Sequence, residues 1–143
     1  MAAMTPEQID AYLAEPRDGV LSVVLASGRS MATPVWFLWF DGVARFQSPV
    51  TSAKTRALRA TGRASLCVHD QPLPLARYVT VEGPVREVDF NLDNDIGAAA
   101  RHYLGDAADA FLVSIERALA AGHRWASFEM APTLVTGQVQ RLA

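Results

Sequence analysis

The chain has 143 residues, of which half are hydrophobic and a fifth are charged, and its net charge at neutral pH is −2. This length suffices for a hydrophobic core, and we expect residues 1–143 to form a single domain. This small net charge argues against a protein that binds nucleic acid or a membrane surface through its overall charge.

The first predicted element is a helix that begins at Pro6 and ends before Pro16. Proline is favoured at the first helical position, and Thr5 can cap the helix with its side-chain oxygen. Gln8 stands where the glutamine of a capping box returns a hydrogen bond to the backbone of the capping residue. The sequence therefore predicts a short helix ahead of the first strand.

Six or seven strands are predicted from short runs of β-branched and aromatic residues that are bounded by turn residues. Their ranges are 19–26, 31–40, 43–48, 64–69, 77–88, 124–130 and 134–141. Asp41 and Gly42 predict a tight hairpin turn between the second and the third strand. Gly83 and Pro84 predict a bend or bulge within the fifth, because proline cannot donate to a central ladder.

Three further segments predict helices. Ser52 is a predicted N-cap for a helix over residues 53–61, which Gly62 ends. Residues 91–104 and 106–121 are also predicted to be helical, and each is followed by a glycine.

The chain is therefore predicted to be a mainly β protein of the α+β class. Three or four helices flank closely connected antiparallel strands that close into a small barrel.

The positive charge of the chain is concentrated around the predicted helix start at Ser52. Residues 42–69 contain no Asp or Glu, but they include five basic residues, Arg45, Lys54, Arg56, Arg59 and Arg63. Lys54 is the only lysine of the chain. Because the N-terminus of a helix already favours an anion, basic residues at this point indicate a phosphate-binding site.

The usual enzyme motifs are missing from the sequence. The sequence has no dinucleotide-binding glycine motif, no P-loop and no nucleophile elbow. Its three histidines are scattered, so we expect no metal site. Cys67, the only cysteine, lies in a predicted strand and is not expected to be catalytic. No catalytic residue is predicted, and an enzyme of this kind would depend on a cofactor.

The first residues lack the basic start and apolar core of a secretion signal. No apolar run reaches the roughly 18 residues that cross a membrane. With a single cysteine, these features predict a cytoplasmic protein that does not associate with membranes.

Several short motifs, in this order and at this spacing, resemble one family. They are Ala-Thr-Pro-Val-Trp-Phe at 32–37, Ala-Arg-Phe-Gln-Ser at 44–48, Ser-Ala-Lys-Thr-Arg-Ala-Leu at 52–58, Ala-Ser-Leu-Cys-Val-His-Asp at 64–70 and Tyr-Val-Thr-Val-Glu-Gly at 78–83. In these segments the chain is similar to pyridoxamine 5′-phosphate oxidase-like proteins, which are FMN-binding split β-barrels. Within them it most resembles the flavin/deazaflavin oxidoreductase branch. The resemblance implies a six- to seven-stranded antiparallel split barrel.

The same resemblance implies a homodimer that binds its cofactor in grooves between the subunits. Residues implied to border the cofactor ring are Thr33, Pro34, Val35 and Trp36 on one strand and Arg77 and Tyr78 on another. Residues implied to lie near the ribityl chain and the phosphate are Gln47, Ser48, Ser52, Ala53 and Lys54. Arg56 is a candidate second phosphate contact, because Ala53 stands where the oxidases of the family have a basic residue.

Two cofactors are consistent with the resemblance, FMN and the deazaflavin coenzyme F-420. F-420 carries a longer acidic tail, which Arg45, Arg56 and Arg59 could bind, and this gives F-420 a slight preference. The chain lacks the C-terminal Trp and Arg segment with which the oxidases bind pyridoxamine phosphate, so that activity is not expected.

The predicted function is a flavin- or deazaflavin-dependent oxidoreductase that transfers hydride to or from a small conjugated substrate. The alternative is a non-catalytic module of the same fold that binds a cofactor or a haem-like ligand. Nucleic-acid binding is not expected, since five cations without interleaved aromatic residues make a weak binding surface.

Overall fold

The computed structural model describes residues 1–143, which fold into nine strands and four α-helices. In chain order the elements are β1 (Ala2–Ala3), α1 (Pro6–Ala14), β2 (Gly19–Val24), β3 (Ser30–Val35), β4 (Leu38–Phe40), β5 (Val43–Pro49), α2 (Ala53–Thr61), β6 (Arg63–Asp70), β7 (Leu75–Val88), α3 (Ala98–Leu104), α4 (Ala108–Ala120), β8 (Trp125–Met130) and β9 (Leu134–Arg141). A π-helical turn over Asp93–Gly97 leads into α3, and a 3-10 turn over Gly105–Ala107 joins α3 to α4.

The strands form an antiparallel sheet that does not close on itself. Its order is β3-β2-β6-β7-β8-β5-β4, while β9 also pairs with β7 and β1 pairs with β9. β7 is 14 residues long and connects the two halves of the sheet. Its first part pairs with β6 and β9, and its last residues, 85–88, pair with β8. This open arrangement agrees with the predicted split barrel, with more strands than the six or seven expected.

The strand predicted at residues 31–40 is divided in the structure, and the division separates the two halves of the sheet. β3 pairs with β2, whereas β4 pairs with β5. Between them the backbone N–H of Phe37 donates to the hydroxyl of Tyr103 at 3.2 Å. The same hydroxyl lies 3.0 Å from the carbonyl oxygen of Phe37. A side chain of α3 thus takes the place of a strand partner, and residue alternation in the sequence gives no sign of it.

Gly83 and Pro84 lie where β7 changes partners. Pro84 is opposite β6, whereas Val85 pairs with Met130 of β8. A Cβ atom on Gly83 would lie 2.9 Å from the carbonyl oxygen of Ala131. Glycine therefore allows the β8–β9 connection to pack directly on β7.

The predicted caps of α1 and α2 are confirmed. Thr5 and Gln8 each bond the other's backbone N–H at the start of α1, which is a complete capping box. The Ser52 side chain accepts a hydrogen bond from the N–H of Thr55, and Gly62 ends α2 with a φ of 63°. Local sequence patterns therefore determine where both helices begin.

The core lies between the two halves of the barrel and contains 19 buried residues. Its largest fully buried side chains are Phe37, Phe46 and Phe128, and the rings of Phe46 and Phe128 are 5.9 Å apart. Alternation along β5 buries Phe46 and leaves Arg45 and Gln47 on the opposite face. That second face carries the cavity described below.

No helix is long and apolar enough to cross a membrane.

Candidate functional site

A cavity of about 230 Å³ is built from both halves of the sheet and from the helical segment that follows β7. Its lining residues are Pro34, Val35, Trp36, Gln47, Lys54, Ile96, Ala99, Phe111, Ile115 and Trp125. Lys54 is the only charged residue among them, and Gln47 is the only other polar one. The structure therefore brings five of the sequence-predicted site residues together, namely Pro34, Val35, Trp36, Gln47 and Lys54.

The first turn of α2 presents free hydrogen-bond donors next to this cavity. The Ser52 side chain satisfies the N–H of Thr55. The N–H groups of Ala53 and Lys54 have no acceptor within the chain. Two free N–H groups at the N-terminus of a nine-residue helix make a favourable position for an anion.

Lys54 is a partly buried cation without a carboxylate partner. Its Nζ donates to the Oγ1 of Thr33 at 3.3 Å, and this is its only hydrogen bond within the chain. Burial lowers the pKa of Lys54, because an ammonium group that loses water without gaining an anion is less stable in its charged form. The Thr33 bond holds the ammonium group of α2 against β3. The site thus contains a positive charge that nothing in the protein neutralises.

Gln47 and Ser48 are neighbours in β5, but they lie on opposite faces. Gln47 lines the cavity, and its Nε2 donates to the Oγ of Ser127 on β8 at 3.3 Å. Ser48 is fully buried, and its hydroxyl bonds the hydroxyls of Ser52 and Thr55. Ser48 therefore supports the cap of α2 from the core side and does not line the cavity.

Ser127 also bonds Asp95, the buried acid of the π-helical turn. The Ser127 hydroxyl donates to Oδ2 of Asp95 at 2.7 Å. Arg45 reaches the same carboxylate through Nε at 2.6 Å and Nη2 at 3.2 Å, and the backbone N–H of Asn91 donates to it at 2.8 Å. Burial alone would raise the pKa of Asp95, but these hydrogen bonds hold it below its usual value. A connected polar network thus runs from Arg45 to Gln47 at the cavity wall.

Trp36 and Phe111 are aromatic residues of the cavity lining, and Trp36 also contacts Tyr103, which lies outside the lining. Trp36 stacks on Tyr103 with the ring centroids 5.2 Å apart and the planes 9° from parallel. Phe111 of α4 lies at the same distance from Trp36 in a tilted arrangement. Burial raises the pKa of Tyr103 to about 12, so its hydroxyl keeps the proton that it shares with backbone carbonyls. Trp36 and Phe111 thus form part of the cavity wall, and Tyr103 supports Trp36 by stacking on it.

Several predicted site residues lie outside the cavity lining. Arg56 is exposed, and its Nη1 donates to the carbonyl oxygen of Thr51 at 2.8 Å. Arg77 and Tyr78 line a different cavity, of about 190 Å³. Arg77 forms an ion pair there with Asp70 at 2.7 Å. Within one chain, the structure does not bring Arg77 and Tyr78 to Lys54.

The expectation that Arg45 and Arg59 bind an acidic tail is not supported, because both are paired within the chain. Arg45 lies 2.6 Å from Asp95 and 3.1 Å from Glu129. Arg59 lies 2.8 Å from Glu87. The sequence could not indicate these partners, since all three acids lie far along the chain and come close only through strand pairing and the packing of the helices.

Half of the cavity lining was not predicted as a site from the sequence. These residues are Ile96, Ala99, Phe111, Ile115 and Trp125. Phe111 and Ile115 are four apart on α4, a spacing that predicts one apolar helix face. The same spacing is typical of ordinary core residues, so the pattern alone does not distinguish a cavity wall from a core.

A family profile described as pyridoxamine 5′-phosphate oxidase matches residues 5–133. The chain belongs to the pyridoxamine 5′-phosphate oxidase family. The resemblance seen in the motifs is thus confirmed over a longer stretch than the motifs cover. No curated protein matches the chain in sequence.

Solved structures share the family fold at low sequence identity. A conserved hypothetical protein of Mycobacterium tuberculosis has a TM-score of 0.75 and 18% identity, over 94% of this chain and 84% of its own. An FAD-binding protein of Mesorhizobium loti has a TM-score of 0.70 and 18% identity, over 97% of both chains. An F420 reductase has a TM-score of 0.65 and 24% identity, over 92% of this chain and 98% of its own.

The residues of this family member fit a ligand with an anionic end and a planar apolar part. Lys54 and the free N–H groups of α2 suit a phosphate. Trp36 and Trp125 supply aromatic surface on the same cavity, and Gln47 supplies an amide. No carboxylate lines the cavity, so the lining carries no negative charge.

Proposed function

We propose that this protein binds a phosphate-bearing flavin or deazaflavin cofactor beside Lys54 and acts as an oxidoreductase on a small conjugated substrate. The observation that carries the proposal is one cavity in which an unpaired, partly buried ammonium group faces apolar and aromatic walls. Membership of the family supports this class of cofactor. Two proteins with similar structures, described as an FAD-binding protein and an F420 reductase, also support this class of cofactor.

Each side chain has a defined part in this proposal. When bound, the cofactor supplies the hydride chemistry. Lys54 and the backbone of α2 would hold the phosphate, and the Ser52 cap keeps that helix start in place. Trp36 and Trp125 would exclude water from the reacting ring, and Gln47 would offer its amide to the ligand. The protein binds and orients, and it contributes no general acid or base that the cavity lining identifies.

FMN and F-420 are both candidates. The acidic tail of F-420 needs additional cations, and the pairing of Arg45 and Arg59 with carboxylates removes most of the charge argument in its favour. Arg56 is the arginine that lies at the start of α2 without a carboxylate partner. An F420 reductase with the same fold supports the deazaflavin, and an FAD-binding protein supports the flavin.

Titration of the purified protein with FMN and with F-420, followed by absorbance and fluorescence, tests the proposal. We expect one of them to bind with a dissociation constant below about 100 μM. Absence of binding to both would reject the cofactor proposal. Binding without turnover of any conjugated substrate would favour the non-catalytic module instead.

The Lys54→Met variant tests the role of the ammonium group. A charge-assisted hydrogen bond contributes about 1.5–3 kcal/mol, so we expect the cofactor to bind more than tenfold more weakly. Arg59→Met is the matched control. It removes a charge from the same helix, but that charge is already paired with Glu87. Equal affinity of the Lys54 variant and the wild type would assign the phosphate to another position.

We also propose that the cavity is completed by a second copy of the chain. One outward-facing row of cross-strand neighbours carries no charge and consists of Pro34, Val20, Cys67, Thr80 and Thr136. Pro34 belongs both to this row and to the cavity lining. A subunit that covers the row would therefore border the cavity, and Tyr78 is two residues from Thr80 on the same face.

Thr80→Arg tests this interface, because it places a charge within the uncharged row. We expect a dimer for the wild type and a monomer with weaker cofactor binding for the variant, measured by analytical ultracentrifugation and titration. Ser114→Arg, on the exposed side of α4, is the control and should remain dimeric. A wild type that sediments as a 15.5 kDa monomer would contradict the interface.

A further inference from the structure

The hydroxyl of Ser127 lies between two polar groups and has one proton to donate. It is fully buried on β8. Its Oγ is 2.7 Å from Oδ2 of Asp95 and 3.3 Å from the side-chain nitrogen of Gln47, its cross-strand neighbour on β5. A hydroxyl donates one hydrogen bond and accepts up to two. The direction of each bond is therefore determined by what the two partners can offer.

Asp95 can only accept. Asp95 is 1% exposed, and its carboxylate is surrounded by donors, which are the guanidinium of Arg45, the N–H of Asn91 and the hydroxyl of Ser127. The ion pair with Arg45 and these hydrogen bonds keep the carboxyl group ionised. An ionised carboxylate has no proton for Ser127, so the proton of the Ser127 hydroxyl points to Asp95.

Because the Ser127 proton is engaged, its oxygen can only accept from Gln47. This fixes the Gln47 amide with Nε2 toward Ser127. The carbonyl oxygen of the same amide has no hydrogen-bond partner within the chain. Buried side-chain oxygens without a partner are absent from the structure, so this oxygen is accessible to solvent. Gln47 lines the Lys54 cavity, and its carbonyl oxygen is the acceptor of this side chain that remains free for a ligand.

We propose that Asp95 and Ser127 are positioning residues that hold the Gln47 amide in one orientation, so that the cavity presents a hydrogen-bond acceptor to an N–H or O–H donor of the bound ligand. The proposal rests on the proposed function, in which that ligand is the phosphate-bearing cofactor. A hydroxyl of a polyol chain or an N–H of a ring has the required chemistry. A ligand that offers only an acceptor at this point is disfavoured, because two carbonyl-type oxygens would face each other.

Nuclear magnetic resonance of the side-chain amide tests the first half of the proposal without any ligand. In the wild type we expect the Gln47 amide group to rotate slowly about its Cγ–Cδ bond, and its NH₂ protons to exchange slowly with solvent. In Ser127→Ala, which leaves the pair between Arg45 and Asp95 intact, both rates should become those of a free amide. Identical Gln47 signals in the two proteins would overturn the assignment.

A double-mutant cycle tests the second half, with whichever of FMN and F-420 binds the wild type. We expect Gln47→Met to weaken binding about threefold to tenfold, the range for one neutral hydrogen bond. Ser127→Ala should weaken it by a similar or smaller factor. The double variant should bind no more weakly than Gln47→Met alone, because Ser127 acts only through Gln47.

Additive losses in the cycle would show that Ser127 contributes to binding by another route and would overturn the positioning role. Unchanged affinity in Ser127→Ala would do the same. If neither cofactor binds the wild type, the proposed function fails, whereas the resonance experiment still decides whether Ser127 orients the amide. The two failures are thus distinguishable.

Discussion

Arg45 and Lys54 come from the same acid-free stretch of sequence, but the structure gives them opposite surroundings. Arg45 is bound by Asp95 at 2.6 Å, by Glu129 at 3.1 Å and by the carbonyl oxygen of Asp89 at 3.0 Å. Lys54 has a single neutral partner, the hydroxyl of Thr33. The hydrogen bond to Asp95 raises the pKa of Arg45, whereas burial lowers the pKa of Lys54.

This difference shows how a cation that stabilises the fold can be distinguished from a cation that is available to bind a ligand. A cation whose charge is neutralised within the chain stabilises the fold and has little left to offer a ligand. A partly buried cation without a counter-charge is costly to the free protein and becomes favourable when an anion binds. Removal of each group should therefore affect a different property.

The largest expected effect is on stability, from Asp95→Ala. This change leaves the partly buried Arg45 without its main partner and should lower the free energy of unfolding by about 3 kcal/mol or more. Urea denaturation measures it. Asp93→Ala, in the same helical turn with a side chain that is 81% exposed, is the control and should have little effect. Equal losses for the two variants would mean that the Arg45 network does not stabilise the fold.

The next largest effect is the difference in the free energy of unfolding between variants of the two cations. Arg45→Met should destabilise the protein by about 2 kcal/mol or more, because Asp95 then lacks its ionic partner. Lys54→Met should leave the free energy of unfolding within about 0.5 kcal/mol of the wild type, since it removes a charge that has no partner. Both are measured by urea denaturation without ligand. A loss in Lys54→Met as large as that in Arg45→Met would contradict the distinction.

A smaller effect concerns acid stability. Burial raises the pKa of Asp70, but hydrogen bonds from Arg77 and Arg17 outweigh it, and the net pKa is lowered. A carboxylate with a lowered pKa contributes stability that is present above its unfolded value, near pH 4, and is lost as the pH falls through its folded value. The unfolding free energy should therefore fall below about pH 4, and less steeply in Asp70→Asn. Parallel profiles between pH 5 and pH 2 would exclude a contribution from Asp70.

The smallest effect is on the alkaline side and needs the bound cofactor. Since the pKa of Lys54 is lowered, its ammonium group loses the proton at a lower pH than an ordinary lysine does. Cofactor affinity should therefore weaken as the pH is raised toward 10, whereas Lys54→Arg should keep a flatter profile because arginine stays charged. Titrations at several pH values measure this. A wild-type affinity with the same pH profile as that of Lys54→Arg would place the phosphate away from Lys54.

Much of the site depends on local patterns that the sequence displays. The Ser52 cap, the α2 helix and the position of Lys54 within its first turn were all predictable, because capping involves residues only three apart. The strand at residues 31–40 was predictable as extended chain but not as two strands. Its division depends on Tyr103, which is 66 residues away from Phe37 in the sequence.

The sequence by itself determined the family, the antiparallel strands and the presence of a basic helix start. The strands and the helix start follow from residue periodicity and from turn and cap residues, which act over short distances along the chain. The family follows from the resemblance of the ordered motifs. The tertiary structure decided which cations keep their charge available and which residues share the cavity. Asp95 lies 50 residues from Arg45, and Glu129 lies 84 residues from it. Electrostatic neutralisation depends on distance in space, and only the folded chain brings these groups within reach of each other.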